Sequence, residues 1–158
     1  MNYNLKNKLL FIIIPFLTFL ICAFSDFIFN DIYLNSIDPD FVYLINGLNV
    51  FRGDFNSIIH VDHPGTPLQM LIGVLISIIG TIRGADNITM DVLSNPQTYI
   101  RTIILIFAFF HALVLFFIGL RYYKHQNNLF HSILLQCSFI ISSTLILSQS
   151  KLFTETLL

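Results

Sequence analysis

The stretch TIILIFAFFHALVLFFIGL, Thr102–Leu120, decides how this chain is read. In about 19 residues it holds one ionisable side chain, His111, and as a helix that length matches ~30 Å of hydrocarbon. Arg121, Lys124 and His125 follow at once, as cations do at the wet end of a span. The remaining composition agrees: 55% of residues are hydrophobic, 17 are phenylalanine, 11% are charged, and mean hydropathy is +0.76. A soluble domain carries roughly 25% charged residues, so the expected solvent is a bilayer. The net charge of -1 says nothing about nucleic acid, but no basic run or interleaving of basic and aromatic residues suggests it, and no nucleic-acid partner is expected. Cys22 and Cys137 sit in apolar stretches and read as buried thiols rather than a disulfide or metal pair.

Downstream, Leu129–Leu147 is a similar apolar run, richer in Ser and carrying His131 and Gln136. The short connection Tyr122–Asn128 makes these two helices antiparallel neighbours. Upstream, Leu9–Phe24 is almost wholly apolar behind Lys6 and Lys8. A signal peptide starts the same way, but the run is long and no A-x-A site follows. A retained helix with a cytoplasmic N-terminus is the better reading, mildly kinked at Pro15. The expected fold is an all-α, polytopic helical membrane protein. Its three transmembrane helices cover about 9–29, 100–120 and 129–148, with an outer loop over about 30–99. The chain reads as a single membrane domain, the N-terminal part of a longer protein with more helices.

Within the loop, Leu68–Ile82 is the segment on which topology turns. Thr66 is a ready N-cap, Pro67 suits the first helical position, Gln69 completes a capping box and Gly84 can close the end. At ~15 residues the apolar part is short for a span and fits a juxtamembrane or re-entrant helix over 67–82. If it does not span, Lys6, Lys8, Arg121 and Lys124 are cytoplasmic, and all nine acidic residues lie outside. If it spans, Arg83, Arg101 and Lys151 move to the cytoplasm, a count that slightly favours spanning. Long loops are largely exempt from the positive-inside rule, so the non-spanning arrangement is preferred.

Chemistry-bearing residues concentrate in that loop. In Asp38-Pro39-Asp40-Phe41-Val42-Tyr43, Pro39 holds Asp38 extended and Asp40 can cap a helix that follows. Either carboxylate can instead serve as a general base on an acceptor hydroxyl. Asp26 and Asp31 read as ordinary interfacial residues. His60, Asp62 and His63 form a cluster whose spacing is a weak metal signature. His63, fixed before Pro64, reads equally as a positioned imidazole or a packing residue. Glu155 is a second outer acid, and Arg52, Arg83, Arg101 and Lys151 are the cations open to an extracytoplasmic anion. His111, inside the span, is expected to be neutral and bonded to a neighbouring helix. Asn87-Ile88-Thr89 has the form of a glycosylation sequon.

The arrangement resembles the N-terminal module of GT-C glycosyltransferases, polytopic enzymes that use polyprenyl-phosphate sugars. Protein mannosyltransferases and lipid-A aminoarabinose transferases are examples. The residues that carry the likeness are Asp38-Pro39-Asp40-Phe41-Val42-Tyr43, Gly53-Asp54, His63-Pro64-Gly65-Thr66-Pro67-Leu68, Arg101 and Glu155. The resemblance implies a multi-pass protein of the bacterial inner membrane, with membrane lipid and a polyprenyl-phosphate sugar as partners. It implies Asp40, or Asp38, as the catalytic acid of the first loop, and a juxtamembrane helix after the Pro-rich turn. His63, Arg101 and Glu155 are the matching substrate-side residues. Some members use a divalent cation, Mg or Mn, and others none. Many relatives have Asp-Glu where this chain has Asp-Pro-Asp, which leaves both aspartates open. The alternatives are a non-enzymatic transporter or assembly component, and an inactive truncated fragment.

Overall fold

The computed structural model describes residues 5–28, 40–58 and 66–141, with side chains described from Phe11 to Phe24 in the first stretch. These residues form six α-helices and one short 3-10 turn, so the protein is all-helical as expected. The helices are α1 (Leu5–Ile28), α2 (Asp40–Phe51), α3 (Thr66–Ile82), α4 (Ile88–Ser94), α5 (Pro96–Gln126) and α6 (Leu129–Ile141). The chain divides into two compact units. Among the described residues, one holds α1, α5 from Leu105 onward, and α6. The other holds α2, α3, α4 and the first turns of α5, up to Ile104.

In the second unit, α2 and α3 pack as a pair. Asp40, Tyr43, Leu44, Gly47 and Leu48 recur at helical spacing on the buried face of α2. Leu68, Ile72, Ile76 and Ile79 do the same on α3. The helices touch through Gly47 and Gly73. A Cβ on Gly73 would stand 2.9 Å from the Gly47 carbonyl, and one on Gly47 would collide with Ile72. Both helices end alike. Gly53 and Gly84 take positive φ, 73° and 69°. Asp54 N–H then returns to Asn49 O, and Ala85 N–H to Gly80 O, each 6→1 bond closing its last turn. Gly84 thus ends α3 where the sequence placed the stop.

α3 is apolar all round. Opposite its buried face, Met70, Val74, Ile78 and Ile82 form an exposed stripe, with Ile82 at 80%. α5 opens on Pro96, a residue suited to the first helical position, and runs for 31 residues, about 46 Å. Among the described residues it is the one helix long and apolar enough to cross a membrane. The apolar stretches Phe11–Phe24, Pro67–Ile82 and Leu129–Ser138 are shorter. α5 extends beyond the expected 100–120 at both ends. Asn127, at φ 50°, then donates its N–H to Tyr123 O and stops it. Asn128 starts α6 by accepting from His131 N–H through Oδ1 at 3.1 Å. Two asparagines therefore make the whole connection between antiparallel-compatible runs.

In the first unit, Phe11, Thr18, Cys22, Ala108, Ala112, Leu115, Ser132 and Gln136 are buried. The Phe11 and Tyr123 rings meet at 5.3 Å between centres, tilted by 49°. Neither Cys22 nor Cys137 is in a disulfide.

Candidate functional site

Of the residues singled out in the sequence, Asp38, His60, Asp62, His63, Lys151 and Glu155 lie outside the described residues. Asp40 and Arg101 lie within them. Asp40 is the first residue of α2 and is 3% exposed, an uncommon place for a carboxylate. Its place in the first turn sets its charge against the positive end of the α2 dipole. The burial follows from its register: Asp40 heads the stripe that continues through Tyr43, Leu44 and Gly47 onto α3. Arg101 is exposed on the second turn of α5.

The Gly53-Asp54 pair serves the end of α2. Beyond the Gly53 turn, Asp54 Oδ2 accepts from Ser57 Oγ at 2.7 Å, and Asn49 Nδ2 donates to Ser57 O at 2.9 Å. These bonds hold the 3-10 turn Phe55–Ser57 against the helix it follows.

A second polar centre joins α3, α4 and α5 within the same unit. Arg83 donates through Nε to Asp91 Oδ2 at 2.7 Å and through its terminal nitrogen to Oδ1 at 3.1 Å. Tyr99 OH donates to Asp91 Oδ2 at 2.7 Å, and Asn95 Nδ2 to Oδ1 at 3.0 Å. The Arg83 guanidinium also lies 5.7 Å from the centre of the Tyr99 ring. Hydrogen bonds from Arg83 and then Tyr99 hold the Asp91 carboxyl well below the usual range, at about 2. Donating to Asp91 in turn raises the Arg83 pKa. Arg83 is therefore committed to Asp91 rather than open to an external anion. Asn87 caps α4, its Oδ1 accepting from Met90 N–H at 3.1 Å, so the sequon asparagine has a structural task.

In the first unit the ordering polar residue is Gln136. Pro15 has no N–H, so the Phe11 carbonyl loses its helical donor. Gln136 Nε2 supplies one, 3.2 Å from Phe11 O, and also donates to Leu115 O at 2.9 Å. Gly119 makes room, since a Cβ there would collide with the Gln136 amide. His111 Nδ1 lies 2.9 Å from Phe107 O. A carbonyl only accepts, so Nδ1 carries the proton, and the ring bonds its own helix instead of the neighbour expected from the sequence.

A divalent cation needs several hard donors together. Among the described residues no three His, Cys, Asp or Glu side chains converge, so those residues do not fit Mg or Mn. Comparison with protein-family models, curated proteins and solved structures finds no match to this chain.

Proposed function

We propose that the chain is a membrane-embedded module of a GT-C-like glycosyltransferase. It would carry a sugar from a polyprenyl-phosphate donor to an extracytoplasmic acceptor. In this reading α1, α5 and α6 cross the bilayer, and α2–α4 form the outer unit, with α3 lying at the membrane face. The exposed stripe Met70, Val74, Ile78 and Ile82 supports that placement, because an apolar helix face needs an apolar solvent. So do the exposed Phe16 and Phe24 of α1 and Phe109, Phe110 and Phe117 of α5, more apolar surface than a water-facing monomer shows.

The observation that carries the chemistry is the buried carboxylate of Asp40 at the head of α2. Asp40, with Asp38 as the alternative, takes the proton of the acceptor hydroxyl as its oxygen attacks the anomeric carbon. The bond from that carbon to the phosphate oxygen breaks, and the lipid phosphate leaves with the electron pair, giving inversion. Arg101, exposed on α5, is a cation suited to the phosphate, and His63 and Glu155 complete the substrate side. A structural reading is favoured by the same residue's position in a first helical turn, where a carboxylate is stabilised in any case.

Asp40→Asn separates the two, since an amide still suits a helix start but accepts no proton. Membranes holding the full-length protein, supplied with radiolabelled polyprenyl-phosphate sugars, should lose about 10²-fold or more of their transfer to lipid or protein acceptors. Unchanged transfer in Asp40→Asn would overturn the catalytic assignment.

A further inference from the structure

One face of α5, with Leu135 of α6, carries a groove of about 590 Å³ that none of the preceding chemistry uses. Its walls change character along one face of α5. Val114, Phe117 and Ile118, with Leu135 from α6, line the first part. Arg121, Tyr122 and His125 line the next two turns. From Val114 to His125 the face runs about 16 Å, apolar at one end and cationic at the other. No Asp or Glu occurs in the sequence between Asp91 and Glu155, so α5 and α6 themselves carry no carboxylate. Arg121 has no hydrogen bond or ion pair to any described residue, whereas Arg83 is held by Asp91.

We infer that this groove binds an anionic phospholipid. One acyl chain lies along Val114, Phe117, Ile118 and Leu135, and the phosphate meets the Arg121 guanidinium, flanked by His125 and the Tyr122 hydroxyl. A guanidinium presents a donor fork that matches phosphate oxygens. Basic pockets beside the cytoplasmic end of a membrane helix suit such headgroups. A free phosphate would leave about one turn of apolar wall bare, and a zwitterionic lipid would bring a cation of its own beside the guanidinium, offsetting the attraction of its phosphate. A lipid with one negative charge satisfies both ends. The inference rests on the membrane placement proposed above and not on glycosyl transfer.

The test is native mass spectrometry of the full chain in detergent, with equal phosphatidylglycerol and phosphatidylcholine of identical acyl chains. Phosphatidylglycerol should be retained about fivefold or more over phosphatidylcholine, the preference one well-placed cation supplies. Arg121→Gln should remove the preference and Arg121→Lys should keep part of it. Lys124→Gln, which alters a cation outside the groove lining, should leave it intact, and Leu135→Trp should reduce retention of both lipids. Equal effects of Arg121→Gln and Lys124→Gln would reduce the preference to diffuse surface charge and overturn the site. So would equal retention of the two lipids, or displacement of phosphatidylglycerol by an equal concentration of inorganic phosphate. A chain that stays dispersed without detergent and takes up neither lipid would overturn the membrane placement as well.

Discussion

Gln136 donates to the carbonyl of Phe11, the one acceptor in α1 that Pro15 leaves without its helical partner. The donor that the proline takes from one helix is thereby replaced by an amide from another, 125 residues from the carbonyl it serves. In an apolar solvent such a carbonyl has no water to turn to, so the match is worth most in a bilayer.

Gln136→Leu should destabilise the chain by about 1 kcal/mol, within the range of interhelical hydrogen bonds in membranes. Pro15→Ala restores the N–H that serves Phe11 O, so the Gln136→Leu cost should shrink in that background. Unfolding in detergent, run as a double-mutant cycle, reads the coupling. Fully additive effects would mean that the amide and the proline are unrelated.

Gly119→Ala should act on the same joint by displacing the Gln136 amide. Its cost should fall in a Gln136→Ala background, where the added methyl has room. An equal cost in both backgrounds, read by thermal unfolding, would place the obstruction elsewhere.

Gly47→Ala and Gly73→Ala should each part α2 from α3 and cost about 1–3 kcal/mol, as overpacking of a close contact does. Gly84→Ala meets no neighbour but must hold a φ of +69°, so its cost should be nearer 1 kcal/mol. Thermal unfolding of the three variants checks the order. A Gly84→Ala variant less stable than the other two would contradict it.

The Arg83–Asp91–Tyr99 centre predicts an acid limb in stability. The Asp91 pKa is lowered to about 2 in the folded chain, against ~3.9 when unfolded. Its stabilisation is therefore complete above the ordinary carboxylate value and is lost as pH falls from there towards about 2. Asp91→Asn should lower the midpoint of thermal unfolding at pH 7 and flatten its decline between pH 4 and pH 2. A decline as steep as in the parent would assign the acid limb to other carboxylates.

Much of this architecture is legible in the residues themselves. The run Thr102–Leu120 announces α5, Pro67 and Gly84 bracket α3, and Asp40 marks the start of α2. Other features are not local. α4 is a seven-residue helix whose Asp91 finds its partners Arg83 and Tyr99 eight residues to either side, just past the end of α3 and in α5's first turn. Apolar periodicity carries no trace of it. Gln136 read only as a polar residue in an apolar run, because its meaning depends on Pro15 and Gly119 in two other helices. The burial of Asp40 was likewise hidden, since it depends on how α2 meets α3. A proline in one apolar run and a glutamine in another was the available signal for the joint.

In the proposed topology α5 carries the chain across a bilayer, with Asp40 on the outer side and the Arg121 end in the cytoplasm. Single cysteines at Asp86 and Gln126, both exposed, test it when Cys22 and Cys137 are replaced. Intact cells are treated with a membrane-impermeant thiol reagent. Labelling at 86 and none at 126 until the membrane is opened is the predicted result. Labelling at 126 but not at 86 would make α3 a span and invert α5, and labelling at both would remove α5 from the membrane.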